Sequence, residues 1–304
     1  MAVLVTGGSG FLGSALIPRL LKQGHKVYAL SRHPPAASEK LSPVVGDILK
    51  LGLGMEDVPE DIVAIYHLAA IHRLGNDPDG SIWESNVEGT KNVIKLCLSF
   101  NIPRLYFISS AYTGGRNPYE RSKALCELMV LESGIPKLTI FKPSIIMGTE
   151  EHFYPGHFSQ FVSLVIKIHQ RAELVRRKIE GTLRLPIIEP VFRIRGNPEG
   201  KLNMAQIDQV ADAMARIKKT GKFWLTNPSP PTLQELVKWV GDYIMVDLRI
   251  EGEFQPTPLE SSLQKITAAF SPYMQGDDFP SDLKDCPPIT REFIQETVKR
   301  SLQG

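Results

Sequence analysis

The first half of the chain alternates short apolar runs with longer segments whose apolar residues recur at helical spacing. The runs are rich in β-branched residues, which is typical of strands buried on both faces of a parallel sheet. The predicted strands cover residues 2–5, 26–31, 44–48, 61–70, 104–112 and 137–148. The predicted helices between them cover residues 11–23, 82–100 and 117–133. This alternation predicts an α/β fold, a doubly wound parallel sheet with helices on both faces and right-handed crossovers.

The second half of the chain does not keep this alternation. The predicted elements there are a helix over 157–180, short β-like pieces within 182–200, a strand and helix over 201–217, a strand over 222–226, and helices over 231–244 and 290–302. We therefore predict a first domain over residues 1–149 and a smaller mixed domain over residues 150–304. The strand at 222–226 is a candidate to join the main sheet.

Composition and charge exclude several classes of protein. The chain of 304 residues has a net charge of +2, which favours no particular partner, and we predict no nucleic-acid binding. No run reaches the ~18 apolar residues of a membrane span, and the first strand leaves no room for a signal peptide, so we expect a soluble, cytoplasmic protein. Cys97, Cys126 and Cys286 lie far apart and fit no metal spacing, so no metal site is predicted.

Three glycines separate the first strand from the first helix. Gly7 permits a tight turn, Gly10 lets a pyrophosphate approach the backbone, and Gly13 lets helix and strand pack closely. The unpaired N–H groups of the helix N-terminus then face the phosphates. The spacing is G-x-x-G-x-x-G rather than G-x-G-x-x-G, and a glycine-rich turn without a ligand is the alternative. The sheet is therefore predicted to be of the Rossmann type, with the dinucleotide beyond the C-terminal strand ends.

The end of the second strand indicates which dinucleotide binds. An acidic residue there would hydrogen-bond the ribose of NAD, whereas an arginine accommodates the 2′-phosphate of NADP. The chain has Ser31, Arg32 and His33 and no acid, which favours NADP. The alternative is that Arg32 is a solvated loop residue. Asp47 could bind the adenine amino group or serve as a turn or N-cap residue, and small residues at 69–70 would let the fourth strand lie against the cofactor.

A candidate catalytic group follows the fifth strand. Tyr119 and Lys123 are four residues apart on a predicted helix and so share one face, and Ser110 lies at the preceding strand's end. A nearby ammonium would lower the pKa of the tyrosine, which could then exchange a proton with a substrate oxygen held by the serine. Hydride transfer to or from a nicotinamide would complete the reaction. A solvated Tyr–Lys pair on a helix surface is the alternative.

Together these motifs resemble the extended short-chain dehydrogenase/reductase superfamily. This is the superfamily of the NAD-dependent epimerase/dehydratase type. The resemblance covers nearly the whole chain. It is carried by TGGSGFLG at 6–13, HLAA at 67–70, NVEGTKNV at 86–93 and FKPSIIMG at 141–148. Within the superfamily, ISSAYTGGRNPYERSK at 108–123 and KLNMAQIDQVADAM at 201–214 are similar to the fatty acyl and thioester reductase branch.

The resemblance implies a role for each matching residue. Ser110 takes the serine role, Tyr119 the acid–base role and Lys123 the cofactor-binding role, while Asn86 matches a structural position near the active site. The predicted cofactor-binding residues are Thr6, Gly7, Gly8, Ser9, Gly10, Phe11, Leu12 and Gly13 at the pyrophosphate, Arg32, Asp47 and Ile48 after the second and third strands, Leu68, Ala69 and Ala70 after the fourth, and Tyr119, Lys123, Lys142, Pro143 and Ser144 at the nicotinamide.

The chain departs from the family pattern between the serine and the tyrosine. Relatives usually carry an insertion there that helps to cover the substrate, whereas here the two residues are only nine positions apart. The site is therefore expected to be more open, or covered by residues 150–200. Lys142 stands where an arginine is commoner. The family also implies a possible homodimer formed through the helices at 82–100 and 117–133.

Three functions fit these observations. The first is an NADP-dependent oxidoreductase acting on a carbonyl or alcohol, possibly an acyl thioester or aldehyde. The second is a sugar-nucleotide epimerase or dehydratase that retains NAD, although Ala111 and Tyr112 offer no acid beside the serine, as a dehydratase often does. The third is a non-catalytic NADP-binding sensor or scaffold, which would not need an intact Ser-Tyr-Lys set.

Residues 167–201 form a basic segment. They include nine basic and four acidic residues in a chain whose net charge is only +2. A solvated helix face would explain this excess. Alternatively, some of these groups attract an anionic, phosphate-bearing substrate, with Arg193 and Arg195 on one face of a strand as a phosphate clamp.

Overall fold

The computed structural model describes residues 1–154, 156–183, 191–284 and 286–303. The chain forms two compact units. The first comprises Met1–Tyr154, Ala205–Pro228 and Phe279–Cys286, and the second Pro155–Met204, Ser229–Asp278 and Pro287–Gly304. The chain thus returns twice to the first unit, whereas the sequence prediction left only the strand at 222–226 as a candidate to do so.

The first unit is built on a parallel sheet of seven strands. The strands of the described chain are β1 (Ala2–Thr6), β2 (Lys26–Ser31), β3 (Leu41–Val45), β4 (Ile62–His67), β5 (Arg104–Ile108), β6 (Lys137–Pro143), β7 (Ile145–Met147), β8 (Phe192–Arg195), β9 (Met204–Gln206), β10 (Gly221–Leu225) and β11 (Leu248–Glu251). The order across the sheet is β10-β6-β5-β4-β1-β2-β3, and each neighbouring pair is parallel. The predicted fold class is therefore confirmed.

Helices cover both faces of this sheet. The α-helices of the described chain, in both units, are α1 (Phe11–Lys22), α2 (Ser81–Trp83), α3 (Gly89–Ser99), α4 (Pro118–Leu131), α5 (Gly156–Leu183), α6 (Ile207–Arg216), α7 (Leu233–Ile244), α8 (Pro258–Ile266) and α9 (Arg291–Gln303). Because side chains alternate along a strand, Leu4 of β1 joins a core with α3 and α4, while Val3 and Val5 join a second core with α1 and α6. This two-sided burial explains why the strands read as continuous apolar runs.

The edges of the sheet differ most from the sequence prediction. The third strand was expected at residues 44–48 but spans Leu41–Val45, because its register pairs Val27 with Leu41 and Ser31 with Val45. Beyond it the chain turns, and the N–H of Asp47 bonds to the carbonyl of Leu53 at 2.8 Å. Pro43 is tolerated because β3 is an edge strand. The prediction for this strand was therefore too late by three residues.

The opposite edge strand, β10, is protected by a returning segment of chain. The Asp282 carboxylate accepts a hydrogen bond from the Trp224 N–H at 2.7 Å, and the Asp282 N–H donates to the Trp224 carbonyl at 2.8 Å. Thr226 donates to the carbonyl of Pro280 at 2.5 Å. These contacts satisfy groups that an open sheet edge would expose.

The second unit contains helices and one small sheet. β8 pairs in parallel with β11, from Phe192 opposite Leu248 to Arg195 opposite Glu251. Helix α7 begins after Thr232, whose side chain forms a capping box with Glu235. None of the helices in the described ranges is both long and apolar enough to cross a lipid bilayer.

Candidate active site

The glycine turn between β1 and α1 is too tight for side chains. Gly7 has a φ of +72°, and a Cβ there would lie 2.9 Å from the amide nitrogen of Ala69. A Cβ at Gly13 would lie 2.5 Å from the carbonyl oxygen of Gly7. The turn therefore requires glycine at both positions, because the backbone of α1 lies against the turn and the turn lies against the segment after β4.

The first turn of α1 has no protein group that competes for an anion. Its N-cap, Gly10, offers no side-chain hydrogen bond, and no acidic residue lies in the first turn. Ser9 and Gly10 are exposed. The N–H groups and the positive dipole end of the helix are therefore available to a phosphate, and the residues present fit the pyrophosphate of a dinucleotide.

The ends of β2 and β3 supply polar groups where an adenosine would lie. Arg32 is exposed and makes no hydrogen bond or ion pair with any residue that the structure describes. The hydroxyl of Ser31 is buried and lacks a hydrogen-bond partner within the same part of the chain. Asp47 accepts a bond from the N–H of Leu49 at 3.0 Å, so one of its oxygens serves the turn. Its neighbour Ile48 packs against the position of Gly89.

A chain of polar side chains begins at the end of β1. Thr6 Oγ1 accepts a hydrogen bond from the N–H of Ala69 at 3.3 Å and lies 2.8 Å from His67 Nδ1. His67 Nε2 lies 3.2 Å from Thr90 Oγ1, which donates to the carbonyl of Asn86 at 2.6 Å. Because Thr90 gives its proton to Asn86, the directions agree when His67 carries a proton on Nε2, and a neutral ring then accepts from Thr6 at Nδ1. Burial, aided by the charge of Lys123, lowers the pKa of His67 to about 3, so the neutral form persists at physiological pH.

Asn86 continues this chain to the helix that carries Tyr119. Its amide accepts from the N–H of Ile71 at 2.8 Å, and donates to the carbonyl of Ile71 and to Ser122 Oγ, each at 2.9 Å. Ser122 donates to the carbonyl of Tyr119 at 2.7 Å. Asn86 lies in a single π-helical turn, Glu84–Glu88, inside the helix predicted at 82–100. Its predicted structural position near the active site thus corresponds to a link between β4 and α4.

The start of α4 is fixed by local sequence. Asn117 is the N-cap and accepts a bond from the N–H of Glu120 at 3.0 Å, while Pro118 occupies the first turn. Glu120 is fully buried and pairs with Arg116 at 2.9 Å. This cap holds Tyr119 in the first turn of α4, directly beyond the end of β5.

Ser110, Tyr119 and Lys123 come together at the end of β5. Ser110 is hydrogen-bonded to the hydroxyl of Tyr119. The ammonium of Lys123 donates to the carbonyl of Ile108, the last residue of β5, at 2.8 Å. Burial raises the pKa of Tyr119 to about 12, although the bond to Ser110 acts in the opposite direction. Burial lowers the pKa of Lys123 to about 8.

The pKa of Tyr119 differs in direction from the sequence expectation. A lysine ammonium was expected to lower it, but the loss of solvation at this position outweighs the other influences. The phenol is therefore protonated at neutral pH in the structure, and its form suits a proton donor.

Lys142 has a different environment from the one expected at a nicotinamide. It is buried, forms an ion pair with Glu127 and donates to Thr113 Oγ1 at 3.1 Å. Its ammonium also lies 4.9 Å from the centre of the Trp224 ring. The next residue, Pro143, accepts a bond from the N–H of Ala111 at 2.8 Å. The hydroxyl of Ser144 is buried without a hydrogen-bond partner among the described residues, which fits a polar ligand group at this strand end.

The arginines of the basic segment do not form the phosphate clamp that the sequence offered as an alternative. Arg193 and Arg195 do lie on β8, but the guanidinium of Arg193 holds Glu260 through contacts of 2.9 and 3.0 Å. Arg195 donates to the carbonyl of Phe254 at 3.3 Å. A carboxylate thus occupies the donors that a phosphate would need. Arg184 and Glu189 of this segment lie outside the described residues.

Sequence reasoning missed several residues around the site. Thr90, Ser122 and Glu127 were not singled out, and His67 was noted only as part of a motif. The signal for Thr90 was present, because it is polar and lies four positions after Asn86 on an otherwise apolar helix face. Their partners lie on other elements and depend on the tertiary fold.

Known proteins share both the sequence pattern and this fold. The model of the NAD dependent epimerase/dehydratase family matches residues 3–176, which is more than half of the chain. A 2-alkyl-3-oxoalkanoate reductase of Stenotrophomonas maltophilia is 28% identical over 270 residues, covering 78% of this chain and 74% of that protein. A 3-beta-hydroxysteroid dehydrogenase of Mycolicibacterium neoaurum is 37% identical over 116 residues, but this covers only 36% of this chain and 31% of that protein.

A solved structure adds a likeness over nearly the whole chain. The thiolation-reductase di-domain of an archaeal non-ribosomal peptide synthetase has a TM-score of 0.67 and 17% identity, and the match covers 99% of this chain and 90% of that one. At this identity the likeness concerns the fold alone. The family match confirms the family predicted from the motifs. The chain belongs to the NAD dependent epimerase/dehydratase family of extended short-chain dehydrogenases/reductases and is an NAD(P)-dependent enzyme of that kind.

Proposed function

We propose that the protein is an NADP-dependent reductase that transfers hydride to a carbonyl carbon, with Ser110, Tyr119 and Lys123 as its catalytic residues. The observation that carries this proposal is the meeting of these three side chains at the end of β5, where Ser110 is hydrogen-bonded to Tyr119 and Lys123 is buried. The strand ends that carry the glycine turn and Ala69 are neighbours in the same sheet.

Each of the three residues has a distinct task. Bound nicotinamide dinucleotide supplies the hydride. Ser110 would hold the substrate oxygen beside the hydroxyl of Tyr119, and Tyr119 would give its proton to that oxygen as negative charge develops. Because its pKa is about 12, Tyr119 is protonated at neutral pH, which is the form that a proton donor to the carbonyl oxygen needs. Lys123 would place a positive charge near the phenol and hold the nicotinamide ribose.

The cofactor proposal rests on groups that the protein leaves without partners. The glycine turn and the uncapped α1 would hold the pyrophosphate through residues 6–13. The buried hydroxyl of Ser144 would meet the nicotinamide, with Pro143 and Lys142 beside it. Arg32 has no carboxylate partner among the described residues, so it is available to a 2′-phosphate and favours NADP over NAD. Asp47 retains an oxygen for the adenine, and residues 68–70 would line the cofactor.

The substrate class is proposed from the site and the relatives together. The 2-alkyl-3-oxoalkanoate reductase, whose match covers 78% of this chain and 74% of that protein, is named for reduction of a 3-oxoalkanoate, which is a ketone near a carboxylate. The absence of an acid at residues 111 and 112 disfavours a dehydratase. We therefore propose a 3-oxoacyl compound, as the free acid or its thioester, as the substrate.

The experiment that tests this function measures oxidation of NADPH and NADH by the purified protein. The panel contains 3-oxo acids, their thioesters, simple aldehydes and UDP-sugars. The proposal expects consumption of NADPH, in preference to NADH, with at least one 3-oxoacyl compound. Tightly bound NAD that does not exchange, together with conversion of a UDP-sugar, would instead support an epimerase.

We also propose that the protein forms a homodimer through α3 and α4. Four large apolar side chains at the ends of these helices are about half exposed, Leu98, Phe100, Leu128 and Leu131. A group of this kind on a globular protein is a candidate interface because water is a poor solvent for it.

The proposed cytoplasmic location rests on chemistry that suits a reducing compartment. Cys97 and Cys126 are buried and form no disulfide in the described structure, which suits a reducing compartment. Cell fractionation with antibody detection would test this location.

A further inference from the structure

A short segment after β7 forms a strap that folds back on itself. We define the strap as residues 148–154. A Cβ at Gly148 would lie 2.6 Å from the amide nitrogen of Tyr154 and 2.7 Å from the carbonyl oxygen of His152. The N–H of Thr149 donates to that carbonyl at 3.1 Å. The strap is therefore a compact turn rather than an extended linker.

The base of the strap is tied to two helices of the first unit. Thr149 Oγ1 donates to a carboxylate oxygen of Asp208 in α6 at 2.7 Å. The other oxygen of Asp208 pairs with Arg19 of α1 at 3.0 Å. Asp208 thus connects the strap to α1, the helix that begins at the glycine turn.

Tyr154, the last residue of the strap, contacts residues on both sides of the proposed phosphate site. The ring of Tyr154 stacks on Phe11, the first residue of α1, with ring centres 4.6 Å apart and planes inclined by 23°. The hydroxyl of Tyr154 lies 2.9 Å from His72 Nε2, within hydrogen-bond distance. Phe11 follows Gly10 directly, and His72 follows Ala69 by three residues. Tyr154 therefore bridges the glycine turn and the segment after β4, which approach each other at Gly7 and Ala69.

We propose that Tyr154 and His72 form a clasp that covers the pyrophosphate of the bound cofactor, and that opening of this clasp limits cofactor release. The inference rests on the proposed function, because it assumes that a dinucleotide binds at the glycine turn. The catalytic proposal uses neither residue. The adjacent Phe153 is 44% exposed, so the contacts are specific to Tyr154 and not to the strap as a whole.

The strength of the clasp suits a cofactor that must exchange. One stacked aromatic pair and one hydrogen bond each contribute about two- to tenfold to an equilibrium constant. Together they slow dissociation without preventing it, because each of these contacts is weak and reversible. A reductase that consumes one NADPH in each turnover needs this behaviour, whereas an enzyme that retains NAD does not.

The test is the dissociation rate of NADPH, measured by stopped-flow fluorescence when bound cofactor is displaced by excess NADP. Tyr154→Ala should release NADPH at least about tenfold faster than the wild type, because both contacts are lost. Tyr154→Phe should release it about threefold faster, because only the hydrogen bond is lost. His72→Ala should release it at least about threefold faster, because it also loses the ring contact with Tyr154, in which the ring centres lie 6.0 Å apart. Phe153→Ala, on the same strap, is the matched control and should release NADPH at the wild-type rate.

A double variant sharpens the test. If Tyr154 and His72 act through their shared contact, Tyr154→Phe combined with His72→Ala should be no faster than His72→Ala alone. Thr149→Val removes the anchor to Asp208 and should also accelerate release. Folding of each variant is checked by circular dichroism, and Tyr154→Phe and His72→Ala keep the test valid if Tyr154→Ala does not fold.

The outcomes separate this inference from the proposed function. If the wild type binds no NADPH, the proposed function itself is wrong. If the wild type binds NADPH but folded Tyr154→Ala, Tyr154→Phe and His72→Ala release it at the wild-type rate, the clasp is wrong while the proposed function stands. Faster release from Phe153→Ala than from Tyr154→Ala would also overturn the clasp.

Discussion

At the residue scale, burial sets the protonation states of three side chains at the ends of β4 and β5. Loss of solvation raises the pKa of Tyr119 to about 12, and lowers the pKa of Lys123 to about 8 and that of His67 to about 3. His67 is therefore a neutral link between Thr6 and Thr90, and Tyr119 is a protonated phenol. The titration that affects activity near physiological pH is that of Lys123.

This titration gives a prediction for the pH profile. Lys123 is charged below pH 8 and loses its proton as pH rises through its pKa of about 8, while Tyr119 stays protonated until much higher pH. The value of kcat/KM for carbonyl reduction should therefore be level from pH 6 to 7 and fall above about pH 8. The measurement is kcat/KM against pH with NADPH saturating. A profile that stays level to pH 10 would contradict the proposed role of Lys123.

Arg32 gives the second prediction at this scale. Arg32→Ala should weaken NADPH binding by about tenfold, the lower range for a charged hydrogen bond, because the side chain is exposed and solvent screens its charge. Binding of NADH should change little. Dissociation constants are measured by fluorescence titration, with the exposed neighbour change His33→Ala as control. Equal weakening for both cofactors would show that Arg32 does not recognise the 2′-phosphate.

At the element scale, the sequence predicts the strands better than their ends. Runs at 2–5 and 26–31 are apolar because both faces of the sheet are covered, so they were predicted closely. The fourth strand was predicted at 61–70 but ends at His67. The fifth strand was predicted to reach residue 112 but ends at Ile108. Beyond Ile108 the backbone still donates hydrogen bonds to the neighbouring segment, from the N–H groups of Ser109 and Ala111. Apolar character persists where regular pairing has stopped.

Other elements were missed although their signals are local. Helix α8 was not predicted, yet Thr257 and Glu260 form a capping box around Pro258. β11 was missed because four residues give little periodicity. The π-helical turn at Glu84–Glu88 has no pattern of its own. The positions of Ser110, Tyr119 and Lys123 could be predicted from their spacing, whereas the links through His67 and Ser122 join residues far apart in sequence and required the fold.

The proposed dimer gives a prediction at the element scale. Leu128 of α4 is 57% exposed, and a charge there should prevent burial against a second copy. Leu128→Glu should convert a dimer to a monomer in size-exclusion chromatography with light scattering. Leu174→Glu on α5, where the leucine is 71% exposed, is the control and should leave the dimer intact. A wild type that is monomeric at micromolar concentration would refute the proposed interface.

At the scale of the whole molecule, the proposed active site is built within the first unit. The glycine turn, Arg32 and the Ser110–Tyr119–Lys123 group lie on one continuous stretch, and returning segments at 205–228 and 279–286 complete its sheet and helices. Function in this architecture depends on strand ends that meet at one edge of the sheet. Two statements stay predictions: the second unit binds the substrate, and residues 150–200 cover the active site.

The measurement that most directly tests the central claim is turnover by Tyr119→Phe alongside its affinity for NADPH. Phenylalanine keeps the ring but removes the proton donor, so kcat for carbonyl reduction should fall by about 10²-fold or more while the dissociation constant for NADPH stays within about twofold. Tyr243→Phe, a change at a partly exposed tyrosine of α7, is the matched control and should keep full activity. Wild-type kcat in Tyr119→Phe, with NADPH bound as tightly as before, would show that another group supplies the proton.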